Sequence, residues 1–321
     1  MIRSLVFGGL AGTASALLVM TVVGSPFGMV LGYLAPLPLF FAGLTKGVGA
    51  AAAAAAAGTL VSAYNGVMPA VTFALLFGLP ALWLVRQALL ARPAEEAGSD
   101  AELADGLEWF PPGGLVLRLA GWSGLLLALA LLATSGHEGG LLGALQPVLQ
   151  QFFIAMQAAE SGGDQAAKLA ETAARMMPAV VAVSWLTMLT INGTLAQGLA
   201  VLVKQNARPT PHYSALSLPR YMAMGLGGAV LAVMVLPAET SFIAVAATAI
   251  LAFPYFLQGL AVVHVLANKA PASGLILAAF YAALVVASLL VGILVVGLGL
   301  IEEWAGFRRR VAGAGTSRES D

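Results

Sequence analysis

Thr240–Lys269 reads TSFIAVAATAILAFPYFLQGLAVVHVLANK, a thirty-residue stretch that is almost wholly apolar in its first half. About 20 apolar residues suffice to cross the ~30 Å hydrocarbon core of a bilayer, so the stretch predicts a membrane-spanning helix. Pro254 near its middle removes one helical hydrogen bond and bends the axis. Tyr255, Gln258, His264 and Asn268 occupy its second half. Polar side chains at membrane depth cost free energy and turn toward a bundle interior or a watery cavity. These four are therefore candidate substrate-binding residues. The plainer alternative is that Gln258 and His264 serve as hydrogen-bonding glue between helices. Gln258 and His264 fall about 240° apart on an ideal helix, whereas His264 and Asn268 are an i, i+4 pair on one face.

The rest of the chain has the same character. Of its 321 residues 60% are hydrophobic and 9% charged, with a mean hydropathy of +0.92. Soluble domains carry about 25% charged residues, so the composition is that of an integral membrane protein. The fold class read from it is all-α: a polytopic transmembrane helical bundle whose first partner is the lipid bilayer. Fifteen basic and fifteen acidic residues leave no excess charge for nucleic acid. The chain has no cysteine, which excludes disulfides, thiolate metal sites and a cysteine nucleophile. His137, His212 and His264 are far apart in sequence, and neither a metal site nor a cofactor is expected.

Segment one, about Ser4–Val23, carries Gly8, Gly12 and Ala16 at four-residue spacing. The spacing sets small residues on one face, a candidate surface for helix packing or partner docking. Segment two, about Met29–Leu44, contains Pro36 and Pro38 and is expected to be short or irregular. The alanine run Ala50–Ala57 forms a thin third helix suited to close burial on all sides. Segment four, about Met68–Leu90, ends in an aromatic and basic edge at Trp83, Arg86 and Arg92. An acidic linker follows over 92–113, and segment five runs over about Gly114–Ala133.

Residues 135–177 read as an amphipathic, interfacial insertion, closing with a helix over Asp164–Met177. Segment six, about Pro178–Val203, holds Thr187, Thr190, Thr194 and Gln197 within one arc of about 80°. Thr190, Thr194 and Gln197 join the candidate substrate-binding residues. Segments seven (about Tyr221–Leu236), eight (the opening stretch) and nine (Leu275–Ile301) complete the bundle, and the polar tail over 302–321 is expected to be disordered at its end. The domain reading is an N-terminal four-segment half over 1–91, the linker, a C-terminal half over 114–301, and the tail.

Arg86/Arg92, Lys204–Arg220 and Arg308–Arg310 all read as cytoplasmic by the positive-inside rule. Nine crossings would put the last of these outside, so about eight are expected, with both termini cytoplasmic in a bacterial inner membrane. A hairpin broken at Pro254, or a re-entrant earlier segment, would reconcile the count.

No Walker loop, H-E-x-x-H or dinucleotide fingerprint occurs. Gly121-Trp122-Ser123-Gly124 matches the G-x-S-G pattern of rhomboid intramembrane proteases, for which His264 would be the base. The rhomboid oxyanion histidine–asparagine pair on an early helix and the A-H-x-x-G setting of the base are missing, and the chain is not read as an enzyme.

Pro36-Leu37-Pro38-Leu39, Phe256-Leu257-Gln258-Gly259-Leu260-Ala261-Val262 and the closing run Gly299–Arg310 resemble the YybS-like family of bacterial membrane proteins. That family is in turn similar, chiefly over Arg3–Ala91, to the substrate-binding S components of energy-coupling-factor vitamin transporters. The resemblance implies small-molecule binding in a helical bundle, and docking of a transport module on the Gly8/Gly12/Ala16 face. The expected function is a transporter, or transporter subunit, for a small vitamin- or metabolite-like solute. A non-transporting scaffold that recruits proteins through its loops is the alternative.

Overall fold

A computed structural model describes residues 1–23, 26–93, 103–104, 106–156, 163–212, 216–308 and 310. The protein is an all-α helical bundle, and its chain divides into two compact units. The first is Met1–Leu119 with Leu186–His212; the second is Ala120–Trp185 with Tyr213–Asp321. The division does not fall at the acidic linker, as sequence suggests, because the first unit recruits a helix end and a loop from much later in the chain.

In the first unit α1 (Ile2–Met20) leads through a 3₁₀ turn, Thr21–Val23, to α2 (Pro26–Tyr33) and α3 (Pro36–Lys46). It continues with α4 (Val48–Ala63), α5 (Val67–Phe73) and, after a π-helical turn over Ala74–Gly78, α6 (Leu79–Ala88). The break between α2 and α3 follows from Pro36 and Pro38, which supply no N–H to the preceding turn. A backbone carbonyl freed at membrane depth must find another donor. The Gly32 and Leu34 carbonyls, which Pro36 and Pro38 cannot serve, take the Ala35 and Leu37 amides; around the same turn Asn192 Nδ2 donates to the Tyr33 carbonyl at 2.8 Å and Ser15 Oγ to that of Ala35 at 2.6 Å.

Gly8 and Gly12 bring α1 against α4 almost backbone to backbone. A Cβ on Gly8 would stand 2.3 Å from the Ala50 carbonyl oxygen, and one on Gly12 2.0 Å from that of Ala54. The pairing advances in step, so α1 and α4 run parallel, and Asn65 beyond the end of α4 reaches Met20 at the end of α1. The alanine helix is not buried all round: Ala50, Ala51, Ala54 and Ala55 are covered, while Ala52, Ala56 and Leu60 form an exposed stripe at i, i+4 spacing.

One end of this unit gathers its basic residues. Lys46 Nζ donates to Gln205 Oε1 at 2.7 Å and also lies over the Phe7 ring near the start of α1. Ala207 N–H donates to the Leu44 carbonyl, and Arg208 Nη1 to the Ala88 carbonyl at 2.8 Å. Arg208, buried, also faces the Phe110 carbonyl and the Trp109 ring. The linker it holds is not structureless. Ala91–Pro93, Leu103–Ala104 and Leu107–Trp109 (β1–β3) form a small antiparallel sheet in the order β1-β3-β2, with Arg92 paired to Glu108. Residues 94–102 of the linker, like the tail over 311–321, lie outside the described residues.

The second unit begins within α7 (Pro112–Ala133) and continues through α8 (Gly140–Met156) into α9 (Gly163–Leu202). The expected helix over Asp164–Met177 and segment six are one helix of 40 residues that passes through Pro178. At 1.5 Å per residue it is about 60 Å long, twice the hydrocarbon thickness. Its first turns meet α8 around buried Leu149, Ala170 and Ala174, with Phe153 and Met177 alongside. Val148, Phe152 and Ile154 of α8 stay exposed.

The unit closes with α10 (Tyr221–Val235), α11 (Ala238–Ala267), α12 (Ser273–Val286) and α13 (Ser288–Ala305). Pro254 does not open a hairpin: α11 is continuous over 30 residues. The ninth segment is what divides, at Ala287. Gly259 meets Val295, and Gly299 meets Tyr255, so α11 and α13 are antiparallel. Continued at helical rise, that register sets the start of α13 level with the end of α11. The intervening α12 therefore runs across α11, touching it where Tyr281 meets His264.

Among the described residues seven helical spans are long and apolar enough to cross a bilayer, with α2–α3 and α5–α6 each counting as one. The shorter apolar α4 lies parallel along α1, and the bundle is compatible with about eight crossings.

Candidate functional site

Among the described residues of the second unit, buried polar side chains gather between α11 and α13. Small residues create this arrangement. A Cβ on Gly259 would fall 2.0 Å from the Val295 carbonyl oxygen, and one on Gly299 2.0 Å from that of Tyr255. Two glycines, one on each helix, thus let the backbones touch, the usual route to tight packing in membranes. Tyr255 and Gln258, three residues apart, project from the same side of α11 and are 0% and 1% exposed.

The close approach puts Gln258 Nε2 2.8 Å from the Gly299 carbonyl, to which it donates. Tyr255 O–H donates to Glu303 Oε1, also at 2.8 Å. Next to it, buried Glu302 takes the amides of Phe307 and Arg308 and the Arg308 guanidinium at 2.9 Å, capping the end of α13. Glu302 is thereby neutralised and fully bonded. Glu303 is not: its Oε2 is buried without a partner, as is Gln258 Oε1. Thr248 Oγ1, two turns before Tyr255 on the same face of α11, is buried and unpartnered as well. Buried polar atoms are nearly always hydrogen-bonded, so these unmatched acceptors between two helices mark a place where something else can bind.

The remaining sequence candidates lie elsewhere. His264 is not beside Gln258. Its Nδ1–H donates to the Leu260 carbonyl at 2.8 Å, which leaves Nε2 to accept from the Tyr281 hydroxyl at 3.3 Å. With both ring nitrogens engaged it forms no dyad with Ser123. Asn268 caps the end of α11 and is exposed. Thr190, Thr194 and Gln197 belong to the first unit. Thr190 returns its hydroxyl to the Leu186 carbonyl, Thr194 is exposed, and buried Gln197 donates to the Arg208 carbonyl. Gly8, Gly12 and Ala16 are covered by α4 and neighbouring helices, which leaves that face of α1 filled from within the chain.

Glu302, Glu303, Asn192 and Arg208 were not sequence candidates. The two glutamates read as interfacial charges closing the last helix, and Arg208 as one of several loop cations. Asn192 fell outside the threonine stripe. The one available signal was the pair Gly259 and Gly299, since glycine within an apolar helix allows another backbone to come close.

Among known families, one described as a predicted membrane protein (DUF2232) has a model that matches residues 120–302, more than half of the chain. The match begins where the second unit begins and includes Tyr255, Gln258, Gly299 and Glu302. No curated protein and no solved structure matches.

Proposed function

The chain belongs to the DUF2232 family of predicted membrane proteins, and on that premise we propose that it is a small-solute-binding transporter or transporter subunit of the bacterial inner membrane. One observation carries the reading. Gln258 Oε1 and Glu303 Oε2 are buried acceptors without donors, on residues whose other polar atoms bond across α11 and α13. Ionisable and polar groups at such depth are costly, and they mark solute and ion pathways. The likeness to S components, with a vitamin- or metabolite-like solute and transport-module subunits as partners, belongs to the same proposal. With α1 covered by α4, a transport module would have to dock on another face than Gly8/Gly12/Ala16.

A scaffold role is favoured by the folded α8–α9 hairpin and the small linker sheet. Ligand-induced thermal stabilisation separates the two readings, because a solute that binds the native state raises stability by RT ln(1 + [L]/Kd). A metabolite screen on purified protein is expected to yield concentration-dependent increases in Tm. A screen without one, together with co-purifying soluble proteins that depend on α8, would overturn transport in favour of the scaffold.

The orientation is testable separately. The shared end of Arg86, Arg92 and the loop after α9 is assigned to the cytoplasm by its charge, and Arg310 with it. Single cysteines can be introduced without background. Arg92→Cys, Gln205→Cys and Arg310→Cys should resist an impermeant thiol reagent in intact cells and react after permeabilisation. Reaction of any of them in intact cells refutes its assignment.

A further inference from the structure

We infer that the site between α11 and α13 takes the primary ammonium group of a protonated amine, an inference that rests on the solute-binding reading above. What the ligand must supply is set by the acceptors left over. Glu303 Oε1 already accepts from Tyr255, and Gln258 Nε2 already donates to Gly299. The two that remain are an anionic acceptor, Glu303 Oε2, and a neutral acceptor, Gln258 Oε1. Glu303 forms no ion pair among the described residues, whereas neighbouring Glu302 has Arg308. A ligand that matches the pair must carry one positive charge and at least two N–H or O–H donors.

A primary ammonium does both. It offers three donors around a compact charge, so one nitrogen can send charge-assisted N–H···O bonds to two acceptors at once. Other cations match less well. A proton would neutralise Glu303 but leave Gln258 Oε1 unbonded. A divalent metal ion such as calcium takes about six to eight oxygens, and no three acidic or histidine side chains stand together among the described residues. A quaternary ammonium has the charge and no donor, so it would leave both acceptors unmatched. Sequence spacing adds depth to the site, since Thr248 lies about 10 Å further along the same face of α11. A linear amine with a polar group at its far end would reach it.

The test is thermal stability of the purified full-length protein in ethylammonium, butylammonium, tetramethylammonium and sodium chlorides at equal ionic strength. Ethylammonium and butylammonium should raise Tm in a saturable way, and tetramethylammonium and sodium should not. Glu303→Gln keeps an acceptor for the Tyr255 hydroxyl but removes the charge, and should raise the half-saturating concentration at least tenfold. Gln258→Leu should do the same with Glu303 intact. If Gln258→Leu fails to fold, the Glu303→Gln comparison decides alone. Equal responses to tetramethylammonium and ethylammonium, or an undiminished response in Glu303→Gln, would overturn the inference. Stabilisation by a neutral or anionic metabolite without any by the alkylammonium ions overturns it too, while leaving a solute-binding protein. If no compound of any charge stabilises the protein, the solute-binding reading falls with it.

Discussion

Gly12→Ala is expected to disable the first unit, while Gly9→Ala, three residues away, is expected to be tolerated. The new methyl of Gly12→Ala would lie 2.0 Å from the Ala54 carbonyl oxygen, well inside van der Waals contact, and its neighbours are backbone that cannot swing aside. Relief requires α1 to move off α4 along its length, and this loses the paired contact at Gly8 as well. Overpacking of this kind costs about 3 kcal/mol or more, a large part of an ordinary domain's stability. A Cβ on Gly9 would meet nothing within 4 Å, so alanine there should be neutral or stabilising by up to about 1 kcal/mol through helix propensity. Thermal melts of the two variants in one detergent make the comparison. Equal melting temperatures would mean that α1 and α4 do not meet as described.

Gly299→Ala should do in the second unit what Gly12→Ala does in the first, with a functional consequence added. Its Cβ would stand 2.0 Å from the Tyr255 carbonyl oxygen and 2.8 Å from the Gly259 nitrogen. Separating α13 from α11 breaks the Gln258–Gly299 hydrogen bond and pulls Glu303 away from Tyr255. A stability loss of about 3 kcal/mol is expected, together with loss of any alkylammonium response in whatever protein still folds. Gly297→Ala, with open space around it, should retain both. A Gly299→Ala protein with wild-type Tm and wild-type response would remove the structural basis of the site.

Class and span positions were legible because composition and hydrophobic length are properties of single segments. The four-residue spacing of Gly8, Gly12 and Ala16 announced a packed face, although its partner could be found only when Ala50 and Ala54 were seen opposite. Proline was the misleading residue. Pro36 breaks its helix, as expected, while Pro178 and Pro254 sit inside helices of 40 and 30 residues. Neighbouring groups can re-satisfy the backbone that a proline frees in a membrane helix, and sequence does not show which neighbours are present. The division at Ala287 had no local signal at all, since alanine favours continuing a helix. Of the candidate site, Tyr255 and Gln258 were visible as polar residues in an apolar run. Their complement was not, because Glu303 lies 48 residues from Tyr255 and reads as an ordinary end-of-helix charge until α13 is laid antiparallel on α11.

The dependence of the first unit on Leu186–His212 also bears on how the protein is made. Its first 119 residues leave the ribosome roughly ninety residues ahead of Arg208, a delay of about 5–20 s at roughly 5–20 residues per second. During that interval the Ala88 carbonyl lacks the Arg208 guanidinium, the Leu44 carbonyl lacks the Ala207 amide, and the Tyr33 carbonyl lacks Asn192. The nascent N-terminal half is thus inserted before it can close, and its completion is timed by translation of the second.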